Sequence, residues 1–194
     1  MPLLGLTSAP EESEGVLKSL FWPSVRNVHD AELMATRGFW ICLILGVETV
    51  LLMVWRHPIS ASFYGLFYIM GAMGVRQGSL AASIGVFTIY CLEAIFAAIT
   101  PAGHIGFVQV VIVGILAANL RAASQVHRWQ SHAEVTDALD FAPERMNETW
   151  RDKLVDQSPR VIWPWGRVVF YGLFPVFLIL EFLGFWVEMA HRVH

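Results

Sequence analysis

The chain has 194 residues, of which 56% are hydrophobic before its 15 glycines are counted, only 15% are charged, and the formal net charge is −3. A soluble domain carries about 25% charged residues and needs a solvated surface around its core, so the composition excludes a soluble globular protein and a disordered chain. The negative balance also argues against a nucleic-acid binder. A helical protein that crosses a lipid bilayer several times is what remains.

In chain order, Met1 to Gly5 has no basic region and too short an apolar run for a secretory signal,. Glu11, Glu12 and Glu14 mark residues 1–15 as a solvated acidic tail without order. Residues 16–36 read as an amphipathic cytoplasmic or interfacial segment. Within it Val16 to Trp22 suits a short helix that either lies on the membrane face or packs under the bundle.

A spanning helix needs about 20 mostly apolar residues, and five stretches qualify. Gly38 to Trp55 is bracketed by Arg37 and Arg56, and Ile59 to Val75 follows His57-Pro58. Arg76-Gln77-Gly78 predicts a tight turn into Ser79 to Ile99, and Thr100-Pro101-Ala102-Gly103 a break before His104 to Leu120. The four form a transmembrane core over residues 37–120. Residues 161–194 hold the fifth span, from about Arg167 to Met189 after the expected break at Trp163-Pro164-Trp165-Gly166, with a kink at Pro175,. The fold class is thus all-α: a polytopic membrane bundle of five transmembrane helices with amphipathic cytoplasmic helices.

The basic residues orient it. With five spans, one side collects Lys18, Arg26, Arg37, Arg76, Arg121, Arg128, Arg145, Arg151, Lys153, Arg160 and Arg167, and the other only Arg56 and Arg192. The positive-inside rule puts the N-terminus in the cytoplasm and, with an odd number of spans, the C-terminus outside. Trp22, Trp163 and Trp165 then fall at the inner boundary, and Trp55 and Trp186 near the outer one.

Residues 121–160 form the one long polar segment. It continues span four as a helix with Val126, Trp129 and Ala133 on one side, breaks at Pro143, and resumes with Met146, Trp150 and Leu154 at four-residue spacing. Such a stripe either covers the underside of its own bundle or offers Trp129, Met146, Trp150 and Leu154 to a docking partner. The segment has no glycine for a phosphate-cradling loop, and His127 and His132 are not at metal-ligand spacing on one face.

Three carboxylates lie where charge is costly, at about 2.5–3.5 kcal/mol each near the bilayer centre on insertion scales. Glu48, Glu93 and Glu181 come from spans one, three and five at similar depth, with no lysine or arginine inside a span to pair with them. Facing inward, they would be protonated, share protons or bind a cation; alternatively they are neutral acids that hydrogen-bond across helices. A weaker metal set is Glu188 and His191, three apart near the C-terminus, with His57 and His104 at the same outer boundary,. Arg192 is placed to pair with Glu188 instead. No cofactor is firmly implied, and no pair of histidines within the spans suits a haem.

Small residues gather where spans two and three meet: Ser62, Gly65, Gly71, Gly74 and Gly78, then Ser79, Ala82, Ser83 and Gly85. They predict close helix approach within this hairpin, or a subunit contact. Phe63, Tyr64, Phe67 and Tyr68 form an aromatic band on span two that faces lipid or lines an apolar groove. Cys42 and Cys91, in separate apolar spans, read as buried thiols and not as a disulfide,.

No catalytic motif is present. The expectation is a non-enzymatic accessory or assembly subunit of a membrane complex, or a self-assembling bundle, with the bilayer, other membrane subunits or itself as partners. The alternative is a proton- or cation-conducting channel or transporter built on Glu48, Glu93 and Glu181.

Overall fold

The computed structural model describes residue 25 and residues 28–99, 106–132 and 150–193. These form five helices, α1 (Val28–Met53), α2 (Pro58–Arg76), α3 (Leu80–Ile99), α4 (Phe107–His132) and α5 (Trp150–Val193), and no strand occurs among the described residues. All five are long and apolar enough to cross a membrane. The acidic tail, the Val16 to Trp22 piece, the break at 100–105 with His104, and the polar stretch 133–149 with Pro143 and Met146 lie outside the described residues.

Residue pairings show an alternating bundle. Gly46 and Val50 of α1 meet Gly65 of α2, while Gly38 meets Val75, so the first two helices run antiparallel. Gly71 faces Val86 and Gly74 faces Ala82, which turns α3 back along α2 as the small residues predict. Helix α4 closes a ring by packing on both α3 and α1, and α5 docks on the outside of α2 and α3.

The α2–α3 turn shows how local chemistry sets this register. Gly78 has φ 68°, in the left-handed region that glycine enters without steric cost. Its N–H donates to the Val75 carbonyl at 3.0 Å and the Ser79 N–H to Gly74 at 3.0 Å, satisfying the last carbonyls of α2,. Ser79 then caps α3, its Oγ accepting from the Ala82 N–H at 3.3 Å,.

Two helices overrun the spans expected from sequence, and the helix of span four runs on past Leu120 as its apolar stripe predicts. Helix α1 begins at Val28, not after Arg37, because Ala31 and Met34 continue the buried stripe of Phe39, Cys42 and Leu45. Helix α4 extends to His132, with Ala122, Val126 and Trp129 packed against Val25, Ala31 and Met34. The correction at α5 is larger. The expected break at Trp163-Pro164-Trp165-Gly166 is absent, and α5 is one helix of 44 residues with Pro159, Pro164 and Pro175 inside it.

Packing overrides the local signal there. Trp163 lies against Gly74 and Phe170. A β-carbon at Gly166 would stand 2.6 Å from Met70 Sδ, so this glycine serves close approach to α2 and not a turn. Trp163 therefore faces the bundle, whereas Trp55, Trp165 and Trp186 point outward.

Phe170 anchors α5. Its ring is fully buried and stacks on Phe67 with centroids 4.8 Å apart and planes 13° from parallel. It also fills the space that side chains at Gly71 and Gly85 would occupy. Phe177, buried one heptad further, meets Phe67 at 5.2 Å and Tyr64 at 4.4 Å. Replacing Phe170 with Ala should leave a cavity between three helices and lower stability by about 3 kcal/mol, measured by denaturant titration of the detergent-solubilised protein.

Candidate functional site

At the level where α2 passes between α3 and α5, two tyrosines meet two glutamates. The Tyr68 hydroxyl donates to Glu93 Oε2 at 2.8 Å, and the Tyr64 hydroxyl donates to Glu181 Oε1 at 2.9 Å. Helical phase makes this convergence. Tyr64 and Tyr68 are one turn apart on the face of α2 that also carries Gly71 and Val75,. Glu93 continues the buried stripe of Val86 and Ile89 on α3, and Glu181 that of Phe170 and Phe177 on α5,.

The two pairs are neighbours. Glu93 and Glu181 interact electrostatically, and Tyr64 is within reach of both carboxyls. Tyr68 is buried, while Tyr64 and Glu181 are half-buried. Glu93 Oε1 is enclosed and has no hydrogen-bond partner among the described residues. Glu181 also stands in the wall of an apolar groove of about 180 Å³ between α3 and α5, lined by Leu92, Ile95, Phe96, Phe182 and Phe185.

Of the three carboxylates singled out in the sequence, Glu93 and Glu181 come together and Glu48 does not join them. Glu48 shares their level, since Gly46 and Val50 beside it meet Gly65, but it is exposed. Two residues along a helix rotate a side chain by about 200°, so a register that turns Gly46 and Val50 inward sends Glu48 outward. It still acts electrostatically on Tyr90. The partners of the other two are phenols and not further carboxylates.

The metal candidates do not assemble among the described residues, where no three His, Cys, Asp or Glu side chains could hold an ion together. His57 is exposed, Glu188 is half-buried, and the side chains of His191 and the whole of His104 lie outside the described set. Of the docking candidates, Trp129 packs on its own bundle beside Met34 and Ala122. Trp150 and Leu154 fall in the first turns of α5 with their side chains undescribed, and Met146 lies outside the described residues. Cys42 is buried and Cys91 half-buried, both as free thiols.

A second polar region lies at the Arg76 end. Arg76 Nη2 donates to Glu32 Oε1 at 2.9 Å, bridging α2 to α1. Beside it a cavity of about 220 Å³ reaches Gly78 and Asn119. Asn119 is buried and donates through Nδ2 to Ser83 Oγ at 3.2 Å, pinning α4 to α3. None of these partners follows from spacing along one helix. The tyrosines did leave a signal: a phenol in an apolar helix interior needs a polar partner, and two at four-residue spacing need theirs on one side.

Comparison with known proteins finds no family model that matches the chain, no curated relative and no solved structure that resembles it.

The asymmetry between the pairs is measurable. Tyr68→Phe removes the one hydrogen bond to a carboxyl whose other oxygen is enclosed, so it should cost about 1–3 kcal/mol. Tyr64→Phe acts on a half-buried carboxyl beside a groove and should cost less. Denaturant titration of the two variants checks the order.

Proposed function

We propose that this chain is an integral membrane protein crossing the bilayer five times, with its N-terminus in the cytoplasm and its C-terminus outside. It works without catalysis, as a subunit of a helical membrane assembly made with other membrane subunits or with further copies of itself. The charge asymmetry supports the orientation, and the alternating helix directions are compatible with it.

Helix α5 carries the assembly reading. It is the least buried of the five, attached to α2 and α3 along the stripe of Trp163, Gly166, Phe170 and Phe177. Its other faces expose large apolar side chains from Val161, 72% exposed, through Ile179 to Trp186, 73% exposed, and Met189. At 1.5 Å per residue the run from Val161 to Met189 measures about 42 Å, against a hydrocarbon layer of about 30 Å. Lipid tails leave the Val161 end of that run, before Arg167, in the headgroup layer, and a neighbouring subunit covers its apolar side chains there.

Gly172 gives a clean test, because a side chain there meets nothing within 4 Å in the single chain. Gly172→Leu should therefore leave the folded subunit intact while reducing assembly severalfold, read as loss of co-purifying subunits or of higher oligomers in mild detergent. A wild-type chain that is monomeric and purifies alone would overturn the proposal. In intact cells, a tag after His194 should be open to an impermeant reagent and a tag before Met1 protected.

A further inference from the structure

Glu93 carries an enclosed carboxyl oxygen with no hydrogen-bond partner among the described residues. An ionised carboxylate has about four acceptor positions, and the one side-chain donor among the described residues that reaches Glu93 is Tyr68, at Oε2. Oε1 is buried with no partner among the described residues. A neutral acid resolves this only if a second group accepts from its O–H. A buried polar atom of this kind marks either strain or a small guest.

The surroundings point to a positively charged guest. Glu181 comes from α5 near enough to interact electrostatically with Glu93, and two carboxylates in one low-dielectric site do not both stay ionised without a positive charge. The other titratable groups near the pair are neutral or acidic: Tyr64 and Tyr68 on α2, Tyr90 and Cys91 on α3, and Cys42 and Glu48 on α1. Along the helices that carry these groups, no lysine or arginine lies within two turns of Glu48, Tyr64, Tyr68, Glu93 or Glu181. Acidic oxygens from two helices therefore come near one another with no lysine or arginine close by along those helices.

We propose that Glu93 and Glu181, with the Tyr64 and Tyr68 hydroxyls, form a site for one small monovalent cation, a proton or an alkali ion. Carboxylate and phenol oxygens suit hard ions. Glu93 is the inner ligand, with a free acceptor at Oε1. Glu181 is the outer one, since the groove between Leu92, Phe96 and Phe185 reaches its carboxyl from outside the bundle. The two hydroxyls orient the carboxyls so that Oε2 of Glu93 and Oε1 of Glu181 are occupied and the remaining oxygens are left for the ion.

The site stands apart from the assembly face of α5, so its test does not depend on that reading. The full chain, reconstituted in phosphatidylcholine vesicles, is titrated with acid and base while infrared spectroscopy follows the carboxyl stretch, in sodium chloride and in choline chloride. A titrating carboxyl signal that is lost in both Glu93→Gln and Glu181→Gln is expected. If sodium shifts that signal relative to choline, the guest is an alkali ion; if the two salts give the same curve, it is a proton. A signal absent from the wild type, or unchanged in the two variants, overturns the proposal. Should Glu93→Gln fail to fold, Glu181→Gln and Tyr64→Phe, both at half-buried positions, carry the same readout: loss in the first and a shifted midpoint in the second are expected, and no change in either overturns it.

Discussion

One contact organises the bundle: the ring of Phe170 set against Phe67 and into the space left by Gly71 and Gly85. Between apolar helices in an apolar medium, burial supplies little driving force, so close van der Waals packing has to hold them. Glycine on two helices and a flat aromatic on the third provide it. This contact sets the rotation and height of α5, and the height in turn places Phe177 and Glu181 about two and three turns further along.

The polar groups are layered around that contact. At the Arg76 end, the Glu32–Arg76 pair and the Asn119–Ser83 hydrogen bond tie α1 to α2 and α3 to α4. At the Tyr64 level, the two phenol–carboxyl bonds tie α2 to α3 and to α5. Each bond joins different helices, so each fixes a register that apolar side chains alone would leave free to slide. Of the carboxyls in these bonds, that of Glu93 has an oxygen enclosed with no partner among the described residues, and that difference separates a packing polar group from a candidate site.

The apolar face of α5 and the carboxyl pair lie on the same helix but on different sides of it. Phe177 and Glu181 look toward α2, while Val176, Ile179 and Trp186 look away. A subunit bound to the outer face would leave the Tyr64–Glu181 bond in place. The groove beside Phe182 and Phe185 lies between the two, where a neighbour could open or cover the approach to Glu181.

Much of the architecture was legible in the sequence because bilayer-scale helices write themselves as uninterrupted apolar length, and tight turns as glycine. The five helices, the turn at Gly78 and the close approach of α2 to α3 follow from such local properties. So does the suspicion that falls on Glu93 and Glu181, since a carboxyl in an apolar run is conspicuous whatever it touches. The continuity of α5 was not legible: Pro164 and Gly166 carry a break signal, and only the contacts of Trp163 with Gly74 and of Gly166 with Met70 outweigh it. Nor was the choice among the three glutamates. Sequence assigns depth along each helix, but which side of the helix faces inward depends on how the helices are rotated against one another. That rotation comes from packing, and it turns Glu93 and Glu181 toward Tyr68 and Tyr64 and turns Glu48 away.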